Sequence, residues 1–175
     1  SLPDTTPPSQ TVLTESNSEA EGSTASHTQR AYFGELHVHT MNSPDAFLFN
    51  VRSTPEQAMR FAKGYSVEHS VSGARMQLSQ PLDFISITDH SEYMGILPKL
   101  FQADSELGGS ATSIALREGS TEERQHTMMD VLMTLASGKP KEPLVDPALR
   151  ASIWQRYVEL ANRHYEPGKF TTLIG

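Results

Sequence analysis

The sequence predicts an α/β fold, built from strand–helix units and cut short within its domain. Three observations carry that expectation. Short apolar runs recur at 32–39, 82–88 and 170–174, segments with helix-cap chemistry separate them, and a polar leader comes before the first run. Strands separated by helices imply parallel β/α units. A closed barrel of such units takes about 250 residues. The chain has 175, so its three strands cannot close one, and the domain is expected to continue past Gly175.

Composition narrows the function. Asp and Glu number 21 against 14 Lys and Arg, for a formal charge of −7. That balance carries no strong nucleic-acid signal, because a nucleic-acid coat needs a basic face. It leaves a small phosphorylated substrate open, since bound metal ions supply their own positive charge. The absence of cysteine removes a disulfide framework and any thiolate zinc finger. No apolar run is long enough for a transmembrane segment.

Residues 1–30 form a separate regime. Twelve of them are Ser or Thr, Pro3, Pro7 and Pro8 interrupt them, and only Val12 and Leu13 could anchor a core. Such a stretch cannot bury enough surface to offset its ordering entropy. It is expected to be a disordered leader, with the folded part at 31–175. A polar leader of this kind suits a chain trimmed after export, hence a periplasmic or secreted location, with the cytoplasm as the alternative.

Tyr32 to His39 mixes aromatic and apolar residues and reads as a buried strand. Residues 41–53 read as loop, with Ser43-Pro44-Asp45 as a turn signal. Thr54 caps a helix, Pro55 suits its first position, Gln57 completes a capping box and Gly64 ends it. A hairpin is expected at 66–78 around Ser72-Gly73. Leu82 to Thr88 is the second strand, followed by a short helix over 91–101. Residues 102–119, rich in Gly, Ser and Ala, read as a flexible insertion with some helix. Ser120 and Glu123 form a second capping box for a helix to about Ser137, before Gly138. A Pro-rich connection at 139–145 leads to Asp146-Pro147, which caps a third long helix ending near His164. Its apolar face holds Ile153, Trp154, Tyr157, Val158 and Ala161. Pro167-Gly168 turns the chain into a third strand, Phe170 to Ile174.

The chemistry concentrates at two strand ends. Residues i and i+2 of a strand share a face, so His37 and His39 project together, and two such imidazoles can hold one divalent ion. Asp45 can return a carboxylate to the same region after a short turn. Asp89-His90 closes the second strand. If the strands are parallel, all these groups meet at the C-terminal face, where barrel enzymes place their chemistry. Histidines with carboxylates suit Zn²⁺, Mn²⁺ or Fe²⁺ better than Ca²⁺ or Mg²⁺ alone.

This ordered set resembles a known superfamily. Gly34-Glu35-Leu36-His37-Val38-His39-Thr40, then Ser43-Pro44-Asp45, then Asp83 to His90, is similar to the PHP (polymerase and histidinol phosphatase) proteins. Thr54-Pro55-Glu56-Gln57-Ala58 and Asp89-His90-Ser91-Glu92-Tyr93 bring it closer to the DUF3604 branch. The resemblance runs from about Tyr32 to the C-terminus. It implies the N-terminal part of a distorted (β/α)7, TIM-like barrel with two or three divalent metal ions. It also implies a metal-dependent phosphoesterase, acting on monoesters or diesters through an activated hydroxide without a protein nucleophile. Metal ligands implied are His37 and His39 on one ion, and Asp45 and His90 on another. Asp89, and less strongly Glu92, would support the ligands from behind. The acid that bridges the ions in PHP proteins follows their third strand, and here the sequence ends at Thr172-Leu173-Ile174-Gly175.

Two rival functions stand beside that reading. An amidohydrolase-type centre, cleaving carbon–nitrogen bonds, also uses His-x-His at its first strand. The other rival is a non-catalytic metal-binding or interaction fragment. Blander roles are expected for His69 in the hairpin, His126 on a polar helix face and His164 at a helix C-terminus, where a cation is favoured. His27 lies in the leader. Met128, Met129, Leu132 and Met133 read as a core-facing stripe and Trp154 as core. Asp89 or Ser91 could instead cap the helix expected at 91–101.

Overall fold

A computed structural model describes residues 30–139, 141 and 144–175. The expected leader therefore lies almost wholly outside the described residues. Strands β1 (Gly34–Val38), β4 (Phe84–Ile87) and β5 (Thr171–Ile174) form one sheet in the order β1-β4-β5, parallel throughout. Between β1 and β4 come α1 (Pro44–Leu48), α2 (Pro55–Ala62) and the small antiparallel hairpin of β2 (Val67–Glu68) and β3 (Arg75–Met76). Between β4 and β5 come α3 (Ile96–Leu100), α4 (Ala111–Glu118), α5 (Thr121–Ser137) and α6 (Pro147–His164). The parallel α/β reading holds. The three-stranded sheet is open and forms no closed barrel.

Local chemistry sets the helix limits. Thr54 with Gln57, and Ser120 with Glu123, both make complete capping boxes, and Asp146 accepts from the amides of Ala148 and Leu149. Gly64 and Gly138 turn left-handed just beyond α2 and α5, as helix-terminating glycines do. Two segments depart from expectation. The expected loop at 41–53 contains α1, a one-turn helix with Pro44 in its first turn. The helix expected from Ser91 begins only at Ile96, behind a turn with Tyr93 and Gly95 at positive φ. Neither Asp89 nor Ser91 caps it, since Gly95 is its N-cap.

The core lies on one face of the sheet. Ile85 and Ile87 of β4 meet Met59 and Ala62 of α2, Leu97 and Leu100 of α3, and Ile153 and Leu160 of α6. Each fully buried aliphatic side chain contributes about 1.5–3 kcal/mol, so this layer anchors the strand ends that matter below. α2 packs on β4 and α6 on β5. Ion pairs of Lys63 with Glu166, and of Arg163 and His164 with Glu56, tie α2 to the far end of α6. His164 sits in the last turn of α6, as expected, and is buried with its Nε2 3.0 Å from the Glu56 carboxylate.

The expectation of a buried first strand is corrected. β1 is an edge strand, and Tyr32, Phe33 and Leu36 are exposed, as are Leu173 and Ile174 of β5. Among the described residues, only β4 of this sheet has neighbours on both edges. Trp154 is also exposed rather than core. Of the methionine stripe, Met128 packs on the core while Met129 and Met133 face outward, and Val131 and Thr134 take the buried positions of α5.

Candidate metal centre

The parallel register brings the C-terminal ends of β1 and β4 side by side. Thr88 N–H donates to the Val38 carbonyl at 2.8 Å, and Val38 N–H to the Thr88 hydroxyl at 3.2 Å. β1 carries one extra residue on the way: Glu35 pairs with Ile85 but Val38 with Ile87. Three steps on one strand against two on the other make a bulge, which bends a strand and re-aims its side chains. The Glu35 carboxylate accepts from the Leu36 and His37 amides at 3.1 and 3.4 Å, holding the irregular stretch.

Beyond β1 the chain turns sharply, and Asp89 organises that turn. Its carboxylate accepts from the Thr40 amide at 2.5 Å and the Thr40 hydroxyl at 2.6 Å, and also from the Tyr157 hydroxyl of α6. Thr40 and Asp89 are 1% and 5% exposed. Asn42 donates to the same Tyr157 oxygen at 3.0 Å. Burial first, then the Asp89 charge and hydrogen bond, push the Tyr157 hydroxyl well above the usual phenol range, so it stays a proton donor. Asp89 therefore holds the turn after β1 through the Thr40 amide and hydroxyl, and makes no contact with a histidine in that network.

Ser43, 0% exposed, is the hub. As N-cap of α1 its hydroxyl would ordinarily bond the helix amides, yet it makes no capping bond. It donates to Asp45 Oδ1 at 2.5 Å, accepts from the His90 amide at 3.2 Å and lies 3.3 Å from His39 Nδ1. Asp45 follows in the first turn of α1, 3.0 and 3.2 Å from His39 Nδ1 and 3.5 Å from His90 Nε2. Burial resists ionisation of Asp45. Hydrogen bonds from Ser43, the Ala46 amide and His39, with the His39 charge, outweigh it and hold the carboxyl at about 2.

The result is a trio. Among the described residues, ligand atoms of His39, Asp45 and His90 all lie within 4.8 Å of one another. The His39 and His90 rings stand edge to face, with centroids 4.8 Å apart at 77°. His37 is brought close but not into the trio: its ring stacks on His39 at 4.8 Å and 18°. The trio joins His39, from the set expected on one ion, to Asp45 and His90, the set expected on another. Glu92 is exposed and makes no bond to the trio.

The donor set fits a divalent metal ion. Imidazole and carboxylate ligands at about 2.0–2.2 Å in tetrahedral array lie roughly 3.4 Å from one another; the two separations from Asp45, 3.0 and 3.5 Å, are close to that, and the three ligand atoms together lie within 4.8 Å. An already ionised Asp45 suits a ligand that must be deprotonated. A serine-nucleophile triad does not fit. Such a triad places serine and carboxylate on opposite ring nitrogens of the histidine, whereas Ser43 and Asp45 share Nδ1 of His39.

A family model described as "Protein of unknown function (DUF3604)" matches residues 26–175. The chain belongs to the DUF3604 family. No curated protein and no solved structure matches this DUF3604 chain.

Three participants were not singled out from sequence. Ser43 stood only as part of a turn, although its place before Pro-Asp marks a helix N-cap. Thr40 stood only inside the motif. Tyr157 stood in an apolar helix face, and no local signal links it to a strand end 68 residues earlier.

Proposed function

We propose that this DUF3604 protein is a metal-dependent hydrolase of the PHP type that cleaves phosphate esters. The observation that carries the reading is the convergence of His39, Asp45 and His90 from three separate segments. These residues would hold a Zn²⁺, Mn²⁺ or Fe²⁺ ion, with His37 beside them as a ligand for a neighbouring ion in a site of two or three. Such ions, when bound, activate water and polarise a phosphoryl oxygen. Three protein donors leave coordination positions open, as catalytic sites do and structural sites do not. The chain's own contribution is positioning. Ser43 aims Asp45, Asp89 and Tyr157 fix the turn that presents His39, and the Thr88–Val38 bonds set the distance between the two strand ends. No serine or other protein nucleophile is assigned.

The test is elemental analysis of the purified protein beside His37→Ala and His39→Ala, with phosphomonoester and diester assays in added Mn²⁺ or Zn²⁺. His39→Ala is expected to lose most of the bound metal and the hydrolysis, and His37→Ala a smaller share of the metal. Equal metal in wild type and His39→Ala would sink the proposal. Cleavage of amides but not of phosphate esters would move it to amidohydrolase-type chemistry.

A further inference from the structure

We infer that the cleft beside the metal centre is a subsite for the leaving group, and that it takes an apolar aryl or alkyl group. This rests on the phosphoesterase reading above. The cleft has a volume of about 530 Å³, within the usual range for small-molecule sites. Asp45 and His90 line it on one side, and Tyr93, Ile96, Leu135 and Leu144 supply apolar wall. A metal centre alone does not need such walls.

Five ionisable residues also line the cleft, Asp45, His90, Glu92, Asp146 and Arg150, and three of them are engaged. Asp45 belongs to the trio. Asp146 accepts from two amides of α6. The Tyr93 hydroxyl is directed at the Thr134 carbonyl, 3.5 Å away. Glu92 and Arg150 are exposed. A sugar or nucleoside seated against Tyr93, Ile96, Leu135 and Leu144 would bury hydroxyls on apolar side chains, with only Glu92 and Arg150 left to meet them, which costs binding. An aryl or alkyl group loses nothing. The backbone supports the same reading. Tyr93 sits at φ 60°, a conformation that a bulky side chain rarely adopts and that clusters at ligand sites. From that position its ring spans from the end of β4 toward α5, along the cleft.

The test uses the intact protein with Mn²⁺ and two esters of primary alcohols, 2-phenylethyl phosphate and glycerol phosphate. Binding of neutral 2-naphthol, without metal, is followed by its fluorescence. The phenylethyl ester is expected to exceed the glycerol ester at least ~10-fold in kcat/KM, the scale that apolar pockets discriminate. Leu135→Asn should lower the phenylethyl rate more than the glycerol rate and weaken naphthol binding; Leu135 packs on the core, so its melting temperature should fall, and a single cooperative transition shows that it still folds. Hydrolysis of both esters with equal kcat/KM and no naphthol binding overturns the subsite and leaves the phosphoesterase reading standing. Leu135-dependent naphthol binding with no ester hydrolysed keeps the apolar subsite and removes the phosphoesterase reading.

Discussion

Asp89 shows how much one buried carboxylate can organise. It joins a strand end, a turn and a helix through Thr40 and Tyr157. Asn in its place keeps the shape but sets an amide NH₂ against donors. Hydrogen bonds to charged groups contribute about 1.5–3 kcal/mol, so Asp89→Asn is expected to cost ~2 kcal/mol in a urea titration. Metal affinity should fall roughly 10–100-fold, as when supports behind a ligand are lost. Unchanged metal titration would place Asp89 in folding alone. Asp45 supplies a pH signature. Its pKa is depressed from 3.8 to about 2. A carboxyl whose pKa is lower when folded adds stability above its unfolded pKa, and that increment vanishes as pH falls through the folded value. The metal-free protein should therefore lose stability between about pH 3.8 and pH 2. Asp45→Asn should flatten that part of the acid-unfolding profile.

At the scale of elements, cap chemistry divides into two kinds. Thr54 and Ser120 cap their helices in full boxes, and Thr54→Ala or Ser120→Ala should each cost ~1 kcal/mol by chemical denaturation. Ser43 occupies a cap position without capping. Ser43→Ala should therefore weaken metal binding more than it weakens the fold, the reverse of Thr54→Ala; comparing melting with metal titration separates them. All three serines and threonines precede a helix, and Pro44 and Pro55 occupy similar places. Sequence pattern alone does not tell a hydroxyl that serves its own helix from one turned toward a neighbouring strand. β1 illustrates the same limit. Its apolar run was legible, but its edge position was not, because burial depends on which elements arrive on either side.

At the scale of the molecule, the helices among the described residues cover one face of the sheet and leave the other open. Tyr32, Leu36, Phe84 and Leu173 line a depression of about 580 Å³ on that surface. Neither outer edge of the sheet is paired among the described residues. Exposed apolar patches and free strand edges promote association. The 175-residue chain alone is expected to self-associate with concentration in sedimentation velocity. Leu36→Lys and Leu173→Lys, at positions 57% and 44% exposed, should reduce that association without lowering the melting temperature. Unaltered association would show that this surface is not responsible.

The sequence by itself determined the strand–helix alternation, the helix boundaries set by caps and glycines, and three residues that meet at the site, His39, Asp45 and His90. Those features are local: backbone preference, capping and side-chain type act within a few residues. Only the tertiary structure decided that His37 stands beside the trio, that Ser43 is its hub and that Tyr157 braces it from α6. It also decided that β1 lies at an edge. Those outcomes follow from the parallel β1–β4 register, the bulge within β1 and the packing of α6, which join residues as much as 115 positions apart.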